Sequence, residues 1–333
     1  MGETGDVRIL RHDDVAAALD MTSCIDAVER ALTAYSAGRA ELPAVIQLDV
    51  PEHGGEFHIK AGHLHGEPAY AVKIVSGFPA NPERGLPAND GMVVVFDAVT
   101  GAPAALILDR GLITDLRTGA AGGVAARHLA PERPRVVAMI GSGGQARHQI
   151  DALGRVRSFG EVRVWGRDPG RTAAAARDIA ALPSLPAECA VTAAVSVRAA
   201  VNGADVVITA TASREPLLYA EWLAPGAHVT ALGSDQADKQ ELDPGVLAAA
   251  DLLVADSLTQ CLRIGELHHA VDAGAVNPAT VVELGAITAG AASGRSGDDQ
   301  LTVCDLTGVG VQDVAAAALV LAAAGDAGDR VRL

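Results

Sequence analysis

The chain has 333 residues, 49% of them hydrophobic and 20% charged. That length predicts about two domains, and that composition supplies a large core and excludes global disorder. The formal net charge of −15 argues against nucleic acid and anionic membrane surfaces as partners, because neither attracts so acidic a protein.

Residues 1–14 are polar and acidic, with no signal-peptide pattern. The longest apolar run, 314–324, is shorter than the roughly 20 residues that span a bilayer. Residues 1 to about 40 read as a short strand and two helices. Asp13 or Asp14 is the expected cap of the first helix, and Thr22 or Ser23 of the second. In the second, Ile25, Val28, Ala31, Leu32 and Tyr35 keep helical spacing and Gly38 ends it. From Leu42 to Leu108 the pattern changes to strands, expected at 45–48, 57–60, 69–75, 92–96 and 104–108. Turn signals such as Pro51, Gly54-Gly55 and Asn81-Pro82 separate them, which predicts a meandering antiparallel sheet. A long glycine- and proline-rich loop over 77–91 interrupts it. Residues 114–128 read as a helix with Arg117 in its first turn. A cation there opposes the helix dipole, so on this observation alone Arg117 is a surface residue.

From 135 to about 306, strands alternate with helices. Strands are expected at 135–140, 162–166, 189–191, 205–210, 227–232, 251–254 and 301–305, and helices near 144–154, 170–181, 196–202 and 258–269. This alternation predicts a doubly wound parallel α/β sheet of Rossmann type. Residues 309–324 form a last, alanine-rich helix. Four scattered cysteines with no C-x-x-C pattern predict reduced, buried thiols in a cytoplasmic protein.

The stretch from Val136 to Ala146 organises the rest. Five apolar residues run into Gly141-Ser142-Gly143-Gly144-Gln145-Ala146, a G-x-G-x-x-A pattern. Gly141 allows a tight turn, Gly143 lets backbone approach a pyrophosphate, and Ala146 permits close packing of the next helix. That helix begins near Gly144 and turns its first N–H groups towards the phosphates. At the end of the second strand stands Gly166-Arg167-Asp168. Arg167 suits a 2′-phosphate, so NADP(H) is favoured, and Asp168 leaves NAD(H) as the alternative. Asp235 follows the strand 227–232 through Gly233-Ser234, at the carboxyl edge where ligands of such sheets bind. A carboxyl group there can give or take a proton, although Asp is also common in turns and caps. Lys60 and Lys73 sit in otherwise apolar strand segments, where a lysine either snorkels to water or faces a polar cavity. The histidines show no metal-ligand spacing, and no metal is expected. Ser142 has no partners for a hydrolase triad.

These segments resemble the ornithine cyclodeaminase/μ-crystallin family over nearly the whole chain. The resemblance is carried by 71–81 around Lys73, Gly85-Leu86-Pro87, 112–118 around Arg117, and Ala125-Ala126-Arg127-His128-Leu129-Ala130. It continues through the glycine loop, Gly233-Ser234-Asp235, Lys239-Gln240-Glu241-Leu242, and 305–313. It implies a homodimer with a Rossmann domain over 119–308 and an α+β substrate-binding and dimerisation domain built from 1–118 with 309–333. Lys73 matches the family's active-site lysine, Arg117 the arginine that holds the substrate carboxylate, and Asp235 the acidic residue beside the substrate amine. Gly141, Gly143, Gly144, Gln145, Ala146, Arg167, Thr118, Thr211 and Ser234 make up the expected cofactor-binding set.

The chain also departs from the cyclodeaminase pattern. No arginine follows Pro43 in the segment 42–45. Lys60 stands where cyclodeaminases carry a glutamate that helps with the distal amine, and a cation there is electrostatically wrong for a diamine. The surrounding text is similar to the ectoine-utilisation and imino or amino acid dehydrogenase branch. The resemblance therefore implies an NAD(P)H-dependent oxidoreductase acting on a small α-imino or α-amino acid. A cyclodeaminase with no net redox change is the first alternative. A non-catalytic, crystallin-like NADPH-binding protein is the second.

Overall fold

In the computed structural model, which describes residues 5–332, the chain forms two units. One runs to Arg117 and resumes at Gly310; the other is Thr118–Val309. The first unit opens with β1 (Asp6–Arg11), α1 (His12–Ala18) and α2 (Met21–Ser36). Arg11 is the N-cap of α1, and its N–H donates to Asp14 Oδ2 at 2.8 Å. Asp14 thus acts from the third helical position and not as the cap. Asp20, not Thr22 or Ser23, caps α2 by accepting from the Ser23 N–H at 3.0 Å. Cys24, Ile25, Val28, Ala31 and Leu32 form its buried stripe.

Strands β2 (Ala40–Glu41), β3 (Ile46–Val50), β4 (Gly55–Leu64), β5 (Ala69–Gly77), β6 (Asn89–Asp97) and β7 (Pro103–Leu108) follow, and then α3 (Leu112–Leu129). The C-terminal helix (Gly310–Ala323) and C-terminal strand (Asp329–Arg332) complete the unit. Its sheet runs C-terminal strand, β1, β7, β6, β5, β4, β2, with β3 also paired to β4. It is not a pure antiparallel meander, because β1 lies parallel to β7. The C-terminal strand gives no apolar signal; it is an edge strand tied by Arg11 Nη1 to Asp329 Oδ2 at 2.6 Å. One sheet face carries Ala71, Val93, Val95, Ala105 and Ile107, all buried. The C-terminal helix packs closely here: a Cβ on Gly310 would meet the Ala61 carbonyl oxygen at 2.7 Å.

The second unit contains β8 (Val136–Ile140), α4 (Gly144–Val156), β9 (Glu161–Trp165), α5 (Pro169–Ala180), β10 (Ala190–Ala193), α6 (Val197–Val201) and β11 (Val206–Thr209). It continues with β12 (Arg214–Leu218), β13 (His228–Ala231), β14 (Gln240–Leu242), α7 (Pro244–Ala248) and β15 (Leu252–Ala255). Last come α8 (Leu258–Cys261), α9 (Glu266–Asp272), β16 (Val282–Glu283), α10 (Leu284–Thr288) and β17 (Thr302–Asp305). The main sheet is parallel throughout, in the order β10, β9, β8, β11, β13, β17, β15, β16. It is a Rossmann-type doubly wound sheet, and its order reverses between β8 and β11, the point where such folds bind ligands. The helix expected over 258–269 is broken into α8 and α9. Gly265 between them has φ +88, and a Cβ there would lie 2.6 Å from Asp305 Oδ2. The small β12–β14 pair was not expected, because Arg214-Glu215-Pro216 carries no strand pattern.

Candidate active site

In the first unit three elements converge on one buried charge cluster. Strand alternation turns Lys73 to the face covered by the C-terminal helix, and Lys60 lies directly across from it on β4. The first turn of the C-terminal helix supplies Gln312 and Asp313. Because α3 starts at Leu112, Arg117 lies in its second turn and not its first. Lys73, Arg117 and Asp313 are 3%, 5% and 2% exposed, so Arg117 is no surface residue. Lys73 Nζ donates to Asp313 Oδ1 at 3.0 Å, and Arg117 Nε donates to the same oxygen at 2.9 Å. Arg117 Nη1 also donates to Gln312 Oε1 at 2.8 Å. Burial pulls the Lys73 ammonium down to about 7, against the opposing pull of Asp313. Burial raises Asp313, but Arg117 and then Lys73 outweigh it and hold the carboxyl below its ordinary range. Lys60 is half-buried and acts electrostatically on both Lys73 and Asp313.

In the second unit the glycine loop leaves β8 and enters α4. Gly141 has φ +134, and a Cβ there would meet the Ala210 carbonyl oxygen at 2.4 Å. Gly143 is the N-cap of α4 and has no side-chain cap. A Cβ on Gly143 or Gly144 would meet no protein atom within 4 Å. The space before the first turn of α4 is therefore open, as a pyrophosphate at a helix N-terminus requires. Ala146 is buried against the sheet. Gln145 Oε1 lies 3.5 Å from Gln149 Nε2, which also donates to the Thr118 carbonyl at 2.9 Å. Arg167 is exposed after β9. Asp168, the alternative ribose partner, caps α5 by accepting from the Arg171 N–H at 2.7 Å.

The loops after β11 and β13 are braced by one carboxylate. Glu241 accepts from the Thr211 N–H at 2.6 Å, the Gly233 N–H at 2.8 Å and the Thr209 hydroxyl at 2.7 Å. Glu266 in turn accepts from the N–H groups of Glu241 and Leu242, and Asp305 from that of Leu267. Burial raises all three carboxyls, Asp305 to about 7 and Glu266 to about 9. Ser234 is buried and spends its hydroxyl on the Lys239 carbonyl. The Asp235 side chain is 54% exposed, and its Oδ1 accepts from Lys239 Nζ at 2.6 Å.

Sequence reasoning missed Asp313 and Glu241 as functional candidates. Each stood inside a motif of the resemblance with no role attached; for Asp313 the available signal was a lone acid heading the apolar run 314–324, whereas Glu241 stands among Asp235, Asp238 and Asp243 and offered none. Among the described residues no cluster of His, Cys, Asp and Glu could hold a metal ion. No helix among them is long and apolar enough to cross a membrane.

The model of the ornithine cyclodeaminase/mu-crystallin family matches residues 6–327. An uncharacterized cyclodeaminase of Sinorhizobium fredii is 44% identical over 302 residues, 90% of this chain and 89% of that one. The iminosuccinate reductase of Paracoccus denitrificans is 33% identical over 313 residues, 94% of this chain and 95% of that one. Among solved structures, the Delta(1)-pyrroline-2-carboxylate reductase of Thermococcus litoralis, in complex with NADH and L-proline, is similar with a TM-score of 0.91. It is 29% identical, over 98% of this chain and 100% of that one.

Proposed function

The chain belongs to the ornithine cyclodeaminase/mu-crystallin family, and from that premise we propose that it is an NAD(P)H-dependent oxidoreductase of a small α-imino or α-amino acid. The observation that carries this reading is the pair Lys73 and Arg117, two buried cations gathered on one oxygen. Such a pair recognises a substrate carboxylate. The Thr118–Val309 unit is the cofactor domain, and the unit of Lys73 is the substrate and dimerisation domain. Gly141, Gly143, Gly144, Gln145 and Ala146 would hold the pyrophosphate, with Thr118, Thr211 and Ser234 completing the cofactor contacts. When bound, the nicotinamide supplies hydride exchange with the substrate α-carbon. Arg117 and Lys73 fix the carboxylate, and Asp235 moves a proton between its carboxylate oxygen and the substrate nitrogen.

Arg167 favours NADP(H), since Asp168 is committed to capping α5. NAD(H) is the alternative, and the Thermococcus litoralis relative carries NADH. The substrate we favour is acidic or short. A diamine would place its distal cation near Lys60. At about 4 Å and an effective dielectric near 20 that repulsion is roughly 4 kcal/mol before relaxation. Iminosuccinate, in the name of one relative, carries two carboxylates. The name of the Sinorhizobium fredii relative favours the cyclodeaminase reading.

The homodimer would use the sheet face opposite Lys73. There Ile46, Ile59, Ile74 and Met92 lie in one cross-strand row, beside Leu48. Ile46 and Leu48 are 57% and 56% exposed and Met92 is 36% exposed, a row of exposed apolar side chains of the kind that marks an interface.

A panel of α-keto acids with ammonia or methylamine, read at the nicotinamide absorbance, tests the function. Net NAD(P)H consumption is expected. Ammonia release from ornithine with no net change in cofactor would replace this reading by the cyclodeaminase one. Cofactor binding with neither activity would leave the crystallin-like one.

A further inference from the structure

We propose that Asp313 is the positioning residue of the substrate site: through one oxygen it holds the Lys73 ammonium and the Arg117 guanidinium side by side as a preformed carboxylate clamp. This rests on the reading above that Lys73 and Arg117 receive the substrate carboxylate. Three cations approach one another here, because Lys60 lies directly across from Lys73. Like charges opposed across a sheet repel, and the contact that offsets the repulsion at Lys73 and Arg117 is Asp313.

The manner of contact matters as much as the charge. An arginine–carboxylate fork would use both oxygens and both ends of the guanidinium. Here Lys73 and Arg117 share Oδ1, while the buried Oδ2 makes no hydrogen bond. Asp313 and Gln312 take Nε and Nη1 of Arg117, which fixes the guanidinium plane and leaves the Nη2 edge for a ligand. A side chain held at two points loses less freedom on binding. The other groups around the pair do different work. Asp109 feels Lys73, but its Oδ2 accepts from the Ile113 N–H. Cys24 is pushed up to about 12, mainly by burial, and stays a neutral thiol. His58, two residues from Lys60, pairs with Glu56.

A carboxylate needs Lys73 charged, and Lys73 loses its proton near 7 in this setting. Removing the Asp313 charge removes what opposes that loss, so the ammonium is discharged at lower pH.

The test is calorimetric titration of pyruvate into the full chain with saturating oxidised cofactor, from pH 6 to pH 9. Wild-type affinity should fall about tenfold per pH unit above roughly 7, as expected for one linked proton. In Lys73→Arg, which keeps its charge, the fall should vanish. In Asp313→Asn the fall should begin about one unit lower or more, with affinity at pH 6 reduced roughly tenfold or more. Cofactor binding by tryptophan quenching should match wild type in both variants. A wild-type affinity flat with pH, a fall that persists in Lys73→Arg, or an Asp313→Asn curve superposed on wild type would each overturn the proposal. If Asp313→Asn does not fold, Asp313→Glu takes its place: it keeps the charge but moves the oxygen, so affinity at pH 6 should fall roughly tenfold while the fall with pH still begins near the wild-type value, and an affinity equal to wild type would overturn the proposal. A chain that binds pyruvate as expected but consumes no NAD(P)H with any keto acid leaves this role standing and removes the oxidoreductase reading. Turnover with pH-flat binding does the reverse.

Discussion

Asp313 in one unit and Asp305 in the other are buried to nearly the same degree, 2% and 1% exposed, yet they are pushed in opposite directions. Burial raises both. At Asp313 the Arg117 and Lys73 charges overcome it and keep the carboxyl ionised. At Asp305 the partners include backbone N–H groups and a second carboxyl, Asp256, and the group rises to about 7. What differs is the charge of the neighbours, since desolvation is common to both. The first arrangement presents cations to an anion. The second spends its carboxyls on backbone N–H groups and makes a rigid support for the loops after β11 and β13.

Asp235 is a third case, open to solvent and held by Lys239. If proton traffic belongs to the exposed carboxylate and not to either buried one, Asp235→Asn should cut turnover by about 10²–10⁴-fold. Cofactor binding should survive. A near wild-type rate in steady-state assays would move the proton step elsewhere.

The cationic side is sharpened by Lys60→Glu. It should lower kcat/KM for an oxaloacetate-derived imine relative to a pyruvate-derived one. The upper limit is about a thousandfold, from the roughly 4 kcal/mol Coulomb term. An unchanged ratio would show that Lys60 does not face the substrate.

From the cofactor side, Arg167→Ala should weaken NADPH binding by about 1–3 kcal/mol, towards the lower end because Arg167 is exposed. NADH binding should barely change. Equal losses in fluorescence titrations would remove the NADP(H) preference.

The smallest effect is the slope of stability with pH. Folded Asp305 holds its proton to about 7, whereas the unfolded chain releases it near 3.8. Its contribution is full at acidic pH and lost as pH rises through about 7. Lys73 runs the other way over its own interval. It discharges near 7 when folded and near 10.5 when unfolded, so stability rises with pH between those values. Asp305→Asn should flatten the acidic interval, read as denaturant midpoints from pH 4 to 7. An unchanged slope would mean that Asp305 is ionised in the folded chain.

Much of the fold was written locally. The apolar run Val136–Ile140 followed by Gly141-Ser142-Gly143 specifies a buried strand and an open phosphate turn. Each of those features depends on neighbours a few residues away. Helix starts were read less well: Asp20, not Thr22 or Ser23, caps α2, because several polar residues compete at a helix start and packing chooses among them. The break at Gly265 needed Asp305, forty residues on, and the C-terminal strand needed β1 as its partner.

For the candidate site, the sequence by itself determined which residue types were present: Lys60 and Lys73 in apolar strands, Arg117 on a helix, Asp235 after a strand. Only the tertiary structure decided their states. Asp313 meets Lys73 across 240 positions of chain, a distance no periodicity spans. Packing buried Arg117, which its place on the helix alone makes a surface residue, and burial drew the Lys73 ammonium down to about 7 against the pull of Asp313. Charge state depends on desolvation and on through-space neighbours, and both are properties of the packed fold and not of the local sequence.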